Sequence, residues 1–174
     1  MSMLERFENG ARAVAATVER VPKDGIRIAQ AIARRFPDAR RIAIAEPRRL
    51  PRELFDECRK LPGVFDRKGK SELTEMDVGI TEAFAGVART GSICVDVDTP
   101  LTGYASLLGR IHVALLAAED IVERPSDLFR AGSTGSAADR SFVFITGPSA
   151  TADMGPLVRG VHGPHELHVL ILEG

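Results

Sequence analysis

The fold of this chain is decided by the stretch from Phe142 to Gly174, which reads FVFITGPSATADMGPLVRGVHGPHELHVLILEG. It contains two apolar runs, Phe142 to Ile145 and Leu167 to Leu172, and each has the length of a buried strand. The loop between the two runs is crowded with Gly, Pro, hydroxyl and charged residues. This layout indicates a polar site at strand ends rather than a core.

Length and composition indicate a single globular domain. The chain has 174 residues, of which 44 % are hydrophobic and 27 % charged, and this usage excludes a disordered chain or a coiled coil. Charges interrupt the N-terminal segment, so it lacks the apolar centre of a secretory signal. No apolar run is long enough to cross a bilayer. We therefore expect one domain over residues 1–174, located in the cytoplasm and without membrane insertion.

The charges are distributed unevenly along the chain. Residues 1–70 carry a net charge of +7 and residues 71–174 carry −8, although the whole chain has −1. Nucleic-acid binding is not expected, because aromatic side chains that would stack on bases are sparse in the basic half. We expect its arginines to lie on solvated surfaces and to pair with the acidic half, and a partner-docking surface is the alternative. The arginines concerned are Arg34, Arg35, Arg40, Arg41, Arg48, Arg49 and Arg52.

The N-terminal part of the chain is predicted to be a helical flank, residues 1–37, that covers an α/β core, residues 38–174. Apolar residues recur at helical spacing from Met3 to Val21 and from Gly25 to Phe36. The next patterns indicate a parallel α/β unit. Its predicted elements are a strand at Arg41 to Ala45, a helix at Pro51 to Lys60 and a strand at Val64 to Asp66.

Strand patterns dominate the second half of the chain. Ile111 to Ala117 is continuously apolar, which predicts a central strand, and Arg89 to Gly91 predicts a hairpin turn. Arg67 to Glu75 and Ala131 to Arg140 are predicted to be loops because they are polar or rich in Gly and Ser. The other predicted elements are strands at Asp77 to Thr81, Phe84 to Ala88 and Ser92 to Val97, and helices at Leu101 to Leu108 and Pro125 to Arg130.

The chain has two cysteines, Cys58 and Cys94. We expect both to be buried or inert thiols rather than a disulfide. Two thiols are too few for an iron–sulfur cluster that four thiolates hold. If this protein works with iron–sulfur chemistry, the cluster belongs to a partner.

The loop that follows Phe142 to Ile145 is the strongest candidate for a ligand site. Gly147 permits close approach of a ligand, and nearby hydroxyls are potential hydrogen-bond donors. A turn that caps a helix is the alternative. We predict a pocket with two walls, Thr146 to Asp153 and Gly160 to Pro164. Its predicted ligand-binding residues are Thr146, Gly147, Ser149, Thr151, Asp153, Gly160, His162 and Gly163.

Other chemical hypotheses for this loop are weaker. A metal site at His162, His165 and His168, with Asp153 and Glu166, is disfavoured because Gly163 and Pro164 interrupt the spacing. A Ser149, His162 and Asp153 triad is conceivable, but a G-x-S-x-G elbow is missing. No metal ligand and no catalytic residue is assigned from the sequence.

Two further features of the sequence are weaker candidate sites. Gly132 to Ser136 is rich in small residues, as phosphate-binding loops are, but it lacks the Gly-Lys-Ser/Thr ending of a P-loop. Asp77 and Glu82 would be candidate general bases if they were buried. A linker and exposed turn positions are the plainer interpretations.

Several segments together resemble the LUD domain of the lactate utilization protein C family. They are VGITEAFAGVARTGSICVDVD from Val78 to Asp98, Leu107-Leu108, His112-Val113, ITGPSATADM and GVHGPHELHVLIL. The resemblance implies a three-layer α/β/α fold with a mostly parallel sheet, like that of sugar-phosphate isomerases and CoA transferases. Members of the family often carry an acidic residue where this chain has Arg89, so no role of that acidic residue is inferred for this chain.

The resemblance also implies a function. It predicts an accessory component of a system that oxidises L-lactate to pyruvate together with two iron–sulfur partner proteins, with no cofactor bound by this chain. The alternative is a stand-alone enzyme or binder of a phosphorylated, nucleotide or CoA-like metabolite. A third hypothesis is an interaction module that uses the basic half.

Overall fold

A five-stranded parallel sheet forms the centre of the protein in the computed structural model, which describes residues 1–65, 75–130, 141–151 and 157–174. All neighbouring strands in this sheet run in the same direction. In spatial order they are β1 (Thr17–Pro22), β11 (Glu166–Glu173), β6 (Ile111–Ala117), β3 (Val78–Ala83) and β2 (Ile42–Ile44).

The two longest strands of this sheet are buried on both faces. β6 and β11 lie side by side at its centre, and Leu115, Leu116, Leu170 and Ile171 are fully buried. Continuous apolar runs form strands of this kind because both faces of a parallel sheet are covered. The predictions of a central strand at Ile111 to Ala117 and of a mostly parallel α/β fold are therefore confirmed.

Helices cover the first face of the parallel sheet. They are α2 (Gly25–Arg35), α3 (Glu53–Asp56) and the 3-10 helix Cys58–Lys60. The Asp24 side chain caps α2 by accepting a hydrogen bond from the Arg27 backbone N–H at 2.9 Å. Ile28 and Ile32 of this helix are buried in the same cluster as Leu115 and Leu170.

The second face carries a mixed layer of helices and strands. The helices are α1 (Met3–Ala13) and α4 (Pro100–Leu107), and a smaller sheet is ordered β7 (Ile121–Val122), β4 (Ala85–Val87), β5 (Ser92–Asp96) and β8 (Phe142–Ile145). α4 packs directly on β3, where a Cβ atom at Gly79 would lie 1.8 Å from the Ala105 carbonyl oxygen. Thr99 caps this helix and Pro100 begins it, one residue before the predicted start at Leu101.

Short elements complete the described residues. Ala118–Asp120 and Pro125–Phe129 are 3-10 helices. The strands β9 (Ala150–Thr151) and β10 (Val158–Arg159) form an antiparallel pair in the C-terminal loop. The hairpin predicted around Arg89 to Gly91 is confirmed, since β4 and β5 are antiparallel neighbours joined there.

The predicted helix from Met3 to Val21 is wrong in its second half. α1 ends at Ala13, and Ala15 has a φ of 65°, which a helix does not accommodate. The chain then turns and contributes β1, which pairs with β11 along its whole length. Residues 1–37 are therefore not only a helical flank, because they supply an edge strand of the central sheet.

Three other predictions need correction, and two predicted loops lie wholly or largely outside the described residues. Pro51 to Lys60 forms two short helical turns rather than one helix, and the predicted strand at Val64 to Asp66 is reduced to a bridge between Val64 and Ile42. β8 is an edge strand, and Phe144 is 43 % exposed, so this strand is not buried as predicted. Residues 67–74 of the loop predicted at Arg67 to Glu75, and the whole loop predicted at Ala131 to Arg140, lie outside the described residues.

Charge pairing between the two halves of the chain is confirmed at four arginines. The pairs are Arg35 with Glu166, Arg41 with Glu75, Arg48 with Asp96 and Asp98, and Arg49 with Asp120. Much of the basic half is thus neutralised within the molecule. In the described part of the chain, no helix combines the length and apolarity needed to span a membrane.

Candidate ligand-binding site

A cavity of about 320 Å³ lies between the C-terminal loop, the end of α4 and the first residues of β6 and β11. Its volume is at the lower end of the range typical of ligand pockets, about 300 to 1,000 Å³. The described lining residues are Ser106, Leu107, His112, Phe144, Ile145, Thr146, Gly147, Pro148, Ser149, Ala150, His162, Gly163, Pro164 and Leu167.

Backbone hydrogen bonds hold the two sides of the loop together. The Ser149 N–H donates to the Pro164 carbonyl and the Gly160 N–H donates to the Ser149 carbonyl, both at 2.9 Å. Gly147 has a φ of 77°, and a Cβ there would lie 2.1 Å from the Val14 carbonyl oxygen. The turn after β8 therefore requires glycine, and it anchors the loop against the segment between α1 and β1.

The structure brings five of the eight predicted ligand-binding residues to this cavity: Thr146, Gly147, Ser149, His162 and Gly163. Thr151 and Gly160 belong to the same loop but are not among the described lining residues, and Asp153 lies outside the described residues. The two predicted walls thus face each other. A role in ligand binding for these residues stays a prediction.

The Thr146 hydroxyl is engaged in a chain of hydrogen bonds. It lies 2.7 Å from the Ser92 hydroxyl, which lies 2.7 Å from the Thr90 hydroxyl. This chain ties the start of the loop to the β4–β5 hairpin. The Thr146 hydroxyl therefore helps to hold the loop in place. Ser149 and His162 also line the cavity and do not belong to this chain of hydrogen bonds.

His112 lines the cavity although it is not among the predicted ligand-binding residues. It lies on β6, is 1 % exposed, and its Nε2 atom is 2.8 Å from the Thr81 hydroxyl oxygen. Its Nδ1 atom is buried and has no hydrogen-bond partner among the described residues. Burial lowers the pKa of His112 to about 3, so the ring is neutral at physiological pH. A polar residue inside an otherwise apolar strand was the available sequence signal.

The cavity lies at the amino edge of the parallel sheet, not at its carboxyl edge. β8, which precedes the loop, belongs to the antiparallel sheet. Ligand sites are typical of the carboxyl ends of parallel strands, and this loop does not follow such a strand. His112 and Leu167 are the second residues of β6 and β11. The ligand-sized space therefore arises where α4 and the loop stand over the beginning of these two strands.

Polar side chains fill the carboxyl edge instead. Glu82 accepts backbone hydrogen bonds from Arg48, Arg49 and Leu50 at 2.7, 3.0 and 3.3 Å, and Arg48 bridges Asp96 and Asp98. The cavity in this cluster has a volume of about 10 Å³, which is no more than one water molecule occupies. Glu82 therefore secures the loop after β2 rather than facing a ligand.

The remaining candidates have structural roles. Asp77 accepts hydrogen bonds from the backbone N–H groups of Arg40 and Arg41 at 2.9 and 3.0 Å. His168 is buried in β11, with Nδ1 2.7 Å from the Thr17 hydroxyl. Across the described ranges, no group of three or more His, Cys, Asp or Glu side chains is arranged to hold a metal ion.

The two cysteines are buried, unpaired thiols, as predicted. Cys58 lies on the first face of the parallel sheet and Cys94 lies on β5. Burial raises the pKa of each thiol to about 12. Neither is therefore a ready nucleophile or metal ligand.

Comparisons with known proteins place the chain in a family. The sequence profile of the LUD domain matches residues 60–172, more than half of the chain. Lactate utilization protein C of Deinococcus radiodurans is 28 % identical over 104 residues, which cover 59 % of this chain and 49 % of that protein. Lactate utilization protein C of Halalkalibacterium halodurans is 30 % identical over 104 residues, covering 57 % of this chain and 45 % of that protein. The chain thus spans about half the length of these curated relatives.

A solved structure shares the fold. A DUF162 family protein from Deinococcus radiodurans aligns with a TM-score of 0.70 and 20 % identity, covering 98 % of this chain and 96 % of that one. At this identity the likeness concerns the fold alone. Together with the match over residues 60–172, these findings show that the chain belongs to the LUD domain family.

Proposed function

We propose that this chain is an accessory component of a lactate-utilization system, in which L-lactate is oxidised to pyruvate. The observation that carries the proposal is its similarity to proteins named Lactate utilization protein C over about 104 residues. The LUD-domain match over residues 60–172 includes the cavity loop, the strands β3 and β6, and nearly all of β11. The chain spans about half the length of those relatives, so its role as an accessory component of such a system is a proposal.

The electrons removed from lactate require an acceptor, and the proposal assigns it to iron–sulfur partner proteins. The chain has two cysteines, and both are buried thiols with a raised pKa. A cluster that needs four thiolates therefore belongs on another chain. This chain would bind or position a reactant or a partner, and it would work in the cytoplasm.

A gene deletion tests the proposal in the organism that encodes this chain. Growth on L-lactate as the sole carbon source is expected to slow or stop, whereas growth on pyruvate continues, and a plasmid copy restores growth on lactate. Growth on L-lactate that is unchanged by the deletion would contradict the proposal. Affinity capture of the tagged chain from lactate-grown cells, followed by iron analysis, tests the partners separately.

The second candidate is a stand-alone enzyme or binder of a small metabolite, and the cavity beside Gly147 and Ser149 favours it. The metabolite classes suggested by the fold are phosphorylated, nucleotide or CoA-like compounds. None of the described lining residues is Lys or Arg, although phosphate groups are commonly held by such side chains. A thermal-shift panel of sugar phosphates, nucleotides and CoA tests this candidate, because a bound ligand raises the melting temperature.

A further inference from the structure

We propose that a second cavity at the amino edge of the parallel sheet binds a small zwitterion, an α-amino acid with an apolar side chain. Arg110 binds its carboxylate and Asp38 binds its ammonium group. The inference goes beyond the role in lactate utilization and stands whether or not that role is correct. Three features carry it: the position of the cavity, the charges that line it and its apolar wall.

This second cavity has a volume of about 380 Å³, which is within the range typical of ligand pockets. It lies where α2 ends and where β6 and β11 begin, and Ile111 and Glu166, which are paired neighbours in these two strands, line it. Successive residues of a strand face opposite sides of a sheet. The second cavity is therefore on the face that α2 covers, whereas His112 and Leu167 line the cavity on the other face.

Three of the charged side chains that line this cavity have partners within the protein. The Arg35 guanidinium forms an ion pair with the Glu166 carboxylate. The Asp77 carboxylate accepts hydrogen bonds from the backbone N–H groups of Arg40 and Arg41 at 2.9 and 3.0 Å. These three side chains are therefore held in place without a ligand, and they do not determine its charge.

Two lining charges of opposite sign remain, Arg110 and Asp38. Both residues are exposed, and within the described ranges neither side chain makes a hydrogen bond or an ion pair, either with the other or with a third residue. A ligand with a carboxylate and an ammonium group complements both charges, whereas a simple anion or cation complements one of them. An α-amino acid carries these two groups on a single carbon skeleton, and it adds no net charge to the cavity.

An apolar wall specifies the side chain of this amino acid. Phe36 and Pro37 directly follow α2, and they line the cavity together with Ile111. Phe36 is 9 % exposed, and its ring packs edge-to-face on the His168 ring with the two centroids 5.6 Å apart. The wall is therefore rigid before a ligand arrives, so an apolar side chain such as that of leucine gains from being buried against it.

NMR titration of the isotope-labelled full chain with L-leucine tests the proposal, and the backbone amides of Ala39 and Ile111 are the local reporters. Two analogues serve as controls: 4-methylpentanoate lacks the ammonium group, and 3-methylbutylamine lacks the carboxylate. L-Leucine is expected to shift both amides in a saturable manner, with a Kd on the order of 1 mM. It should bind about fivefold more tightly than either analogue, which is the upper end of what a partly exposed ion pair contributes.

Two substitutions test the two charges separately. In Arg110→Gln the carboxylate loses its partner, so L-leucine should bind no more tightly than 3-methylbutylamine. In Asp38→Asn the ammonium group loses its partner, so L-leucine should bind no more tightly than 4-methylpentanoate. Arg89→Gln is the matched control, because Arg89 is also exposed but lies in the β4–β5 hairpin and is not among the described lining residues. This control should keep both preferences, and each comparison is made within one variant.

Four outcomes would overturn the inference. They are no saturable shift with L-leucine, an analogue that binds the unsubstituted chain as tightly as L-leucine does, a preference that survives the substitution of its own charge partner, and a preference that is lost in Arg89→Gln. A lactate-growth defect without leucine binding would support the proposed function and refute this inference. Leucine binding without a growth defect would support this inference alone.

Discussion

The Thr81 hydroxyl oxygen lies 2.8 Å from Nε2 of His112, and this contact links two adjacent strands, β3 and β6, inside the central sheet. Both residues are buried, with Thr81 0 % and His112 1 % exposed. The contact fixes the orientation of the imidazole ring and leaves Nδ1 as the ring's remaining polar atom. A hydrogen bond between core strands thereby holds a cavity-lining side chain in place.

The buried histidines are expected to make the protein acid-sensitive. Burial lowers the pKa of His112 to about 3 and that of His168 to about 4. As the pH falls below about 6.5, the unfolded chain takes up these protons before the folded chain does, so stability is lost between pH 6.5 and the folded-state values. Each residue contributes about 2 kcal/mol of this loss at pH 5.

Urea unfolding at pH 7 and pH 5 measures the effect. The difference in unfolding free energy between the two pH values is expected to shrink by about 2 kcal/mol in His168→Gln, because this substitution removes one of the two groups. The comparison is made within each variant, so a general loss of stability does not obscure it. An unchanged pH dependence in His168→Gln and in His112→Gln would contradict the account.

Gly79, on the strand against which α4 packs, should be far less tolerant of alanine than Gly103, which lies within α4 and faces open space. A Cβ at Gly79 would lie 1.8 Å from the Ala105 carbonyl oxygen, whereas a Cβ at Gly103 meets nothing within 4 Å. Gly79→Ala is expected to cost at least about 3 kcal/mol because α4 must move. Gly103→Ala should stabilise α4 by up to about 1 kcal/mol. Equal unfolding free energies for the two variants would show that α4 does not pack in this way.

The Arg49–Asp120 contact is expected to act through its hydrogen bond more than through its charge. Arg49 Nη2 lies 3.0 Å from Asp120 Oδ1, and burial raises the pKa of Asp120 above its ordinary value despite the nearby guanidinium. Asp120→Asn keeps an acceptor for Arg49 and should change stability by less than about 1 kcal/mol. Asp120→Ala should cost about 2 kcal/mol because Arg49 loses this partner. Chemical denaturation measures the free energy of unfolding of both variants. A larger loss of stability in Asp120→Asn than in Asp120→Ala would contradict this prediction.

Thiol labelling tests the burial of the cysteines. With the pKa of Cys58 and Cys94 raised to about 12 by burial, both should react with an aromatic disulfide reagent at neutral pH only after unfolding. Two thiols per chain should then appear in denaturant. Rapid labelling of either cysteine in the native protein would mean that the thiols are accessible, and it would weaken the argument that they cannot serve as ligands.

The central strands were predictable because a continuously apolar run of this length is stable as a strand only where both of its faces are covered. Ile111 to Ala117 and Leu167 to Leu172 are continuously apolar except for His112 and His168, so they must be buried on both sides. The N-terminal boundary was not predictable in the same way. Apolar residues after Ala13 continue the helical spacing, and only pairing with β11, more than a hundred residues away, makes Thr17–Pro22 a strand.

The candidate site was predicted in part. Gly147 and Gly163 each precede a proline, and these Gly-Pro pairs predict a tight loop whose two sides lie close together. The edge of the sheet on which the loop stands depends on β8 joining the antiparallel sheet, which is a long-range pairing that the loop does not encode. His112 was missed for the same reason, since its place beside the loop is set by the order of strands.

The protonation of His112 is the most direct test of the buried contact between β3 and β6. Among the described residues the Thr81 hydroxyl has Nε2 of His112 as its hydrogen-bonding partner, and it can donate to this nitrogen only when the nitrogen carries no hydrogen. Long-range proton–nitrogen NMR of the histidine side chains, recorded at pH 7 and pH 5, reports which ring nitrogen carries hydrogen. We expect a neutral His112 with hydrogen on Nδ1 and a bare Nε2 at both pH values. Hydrogen on Nε2, or on both nitrogens at pH 5, would contradict it.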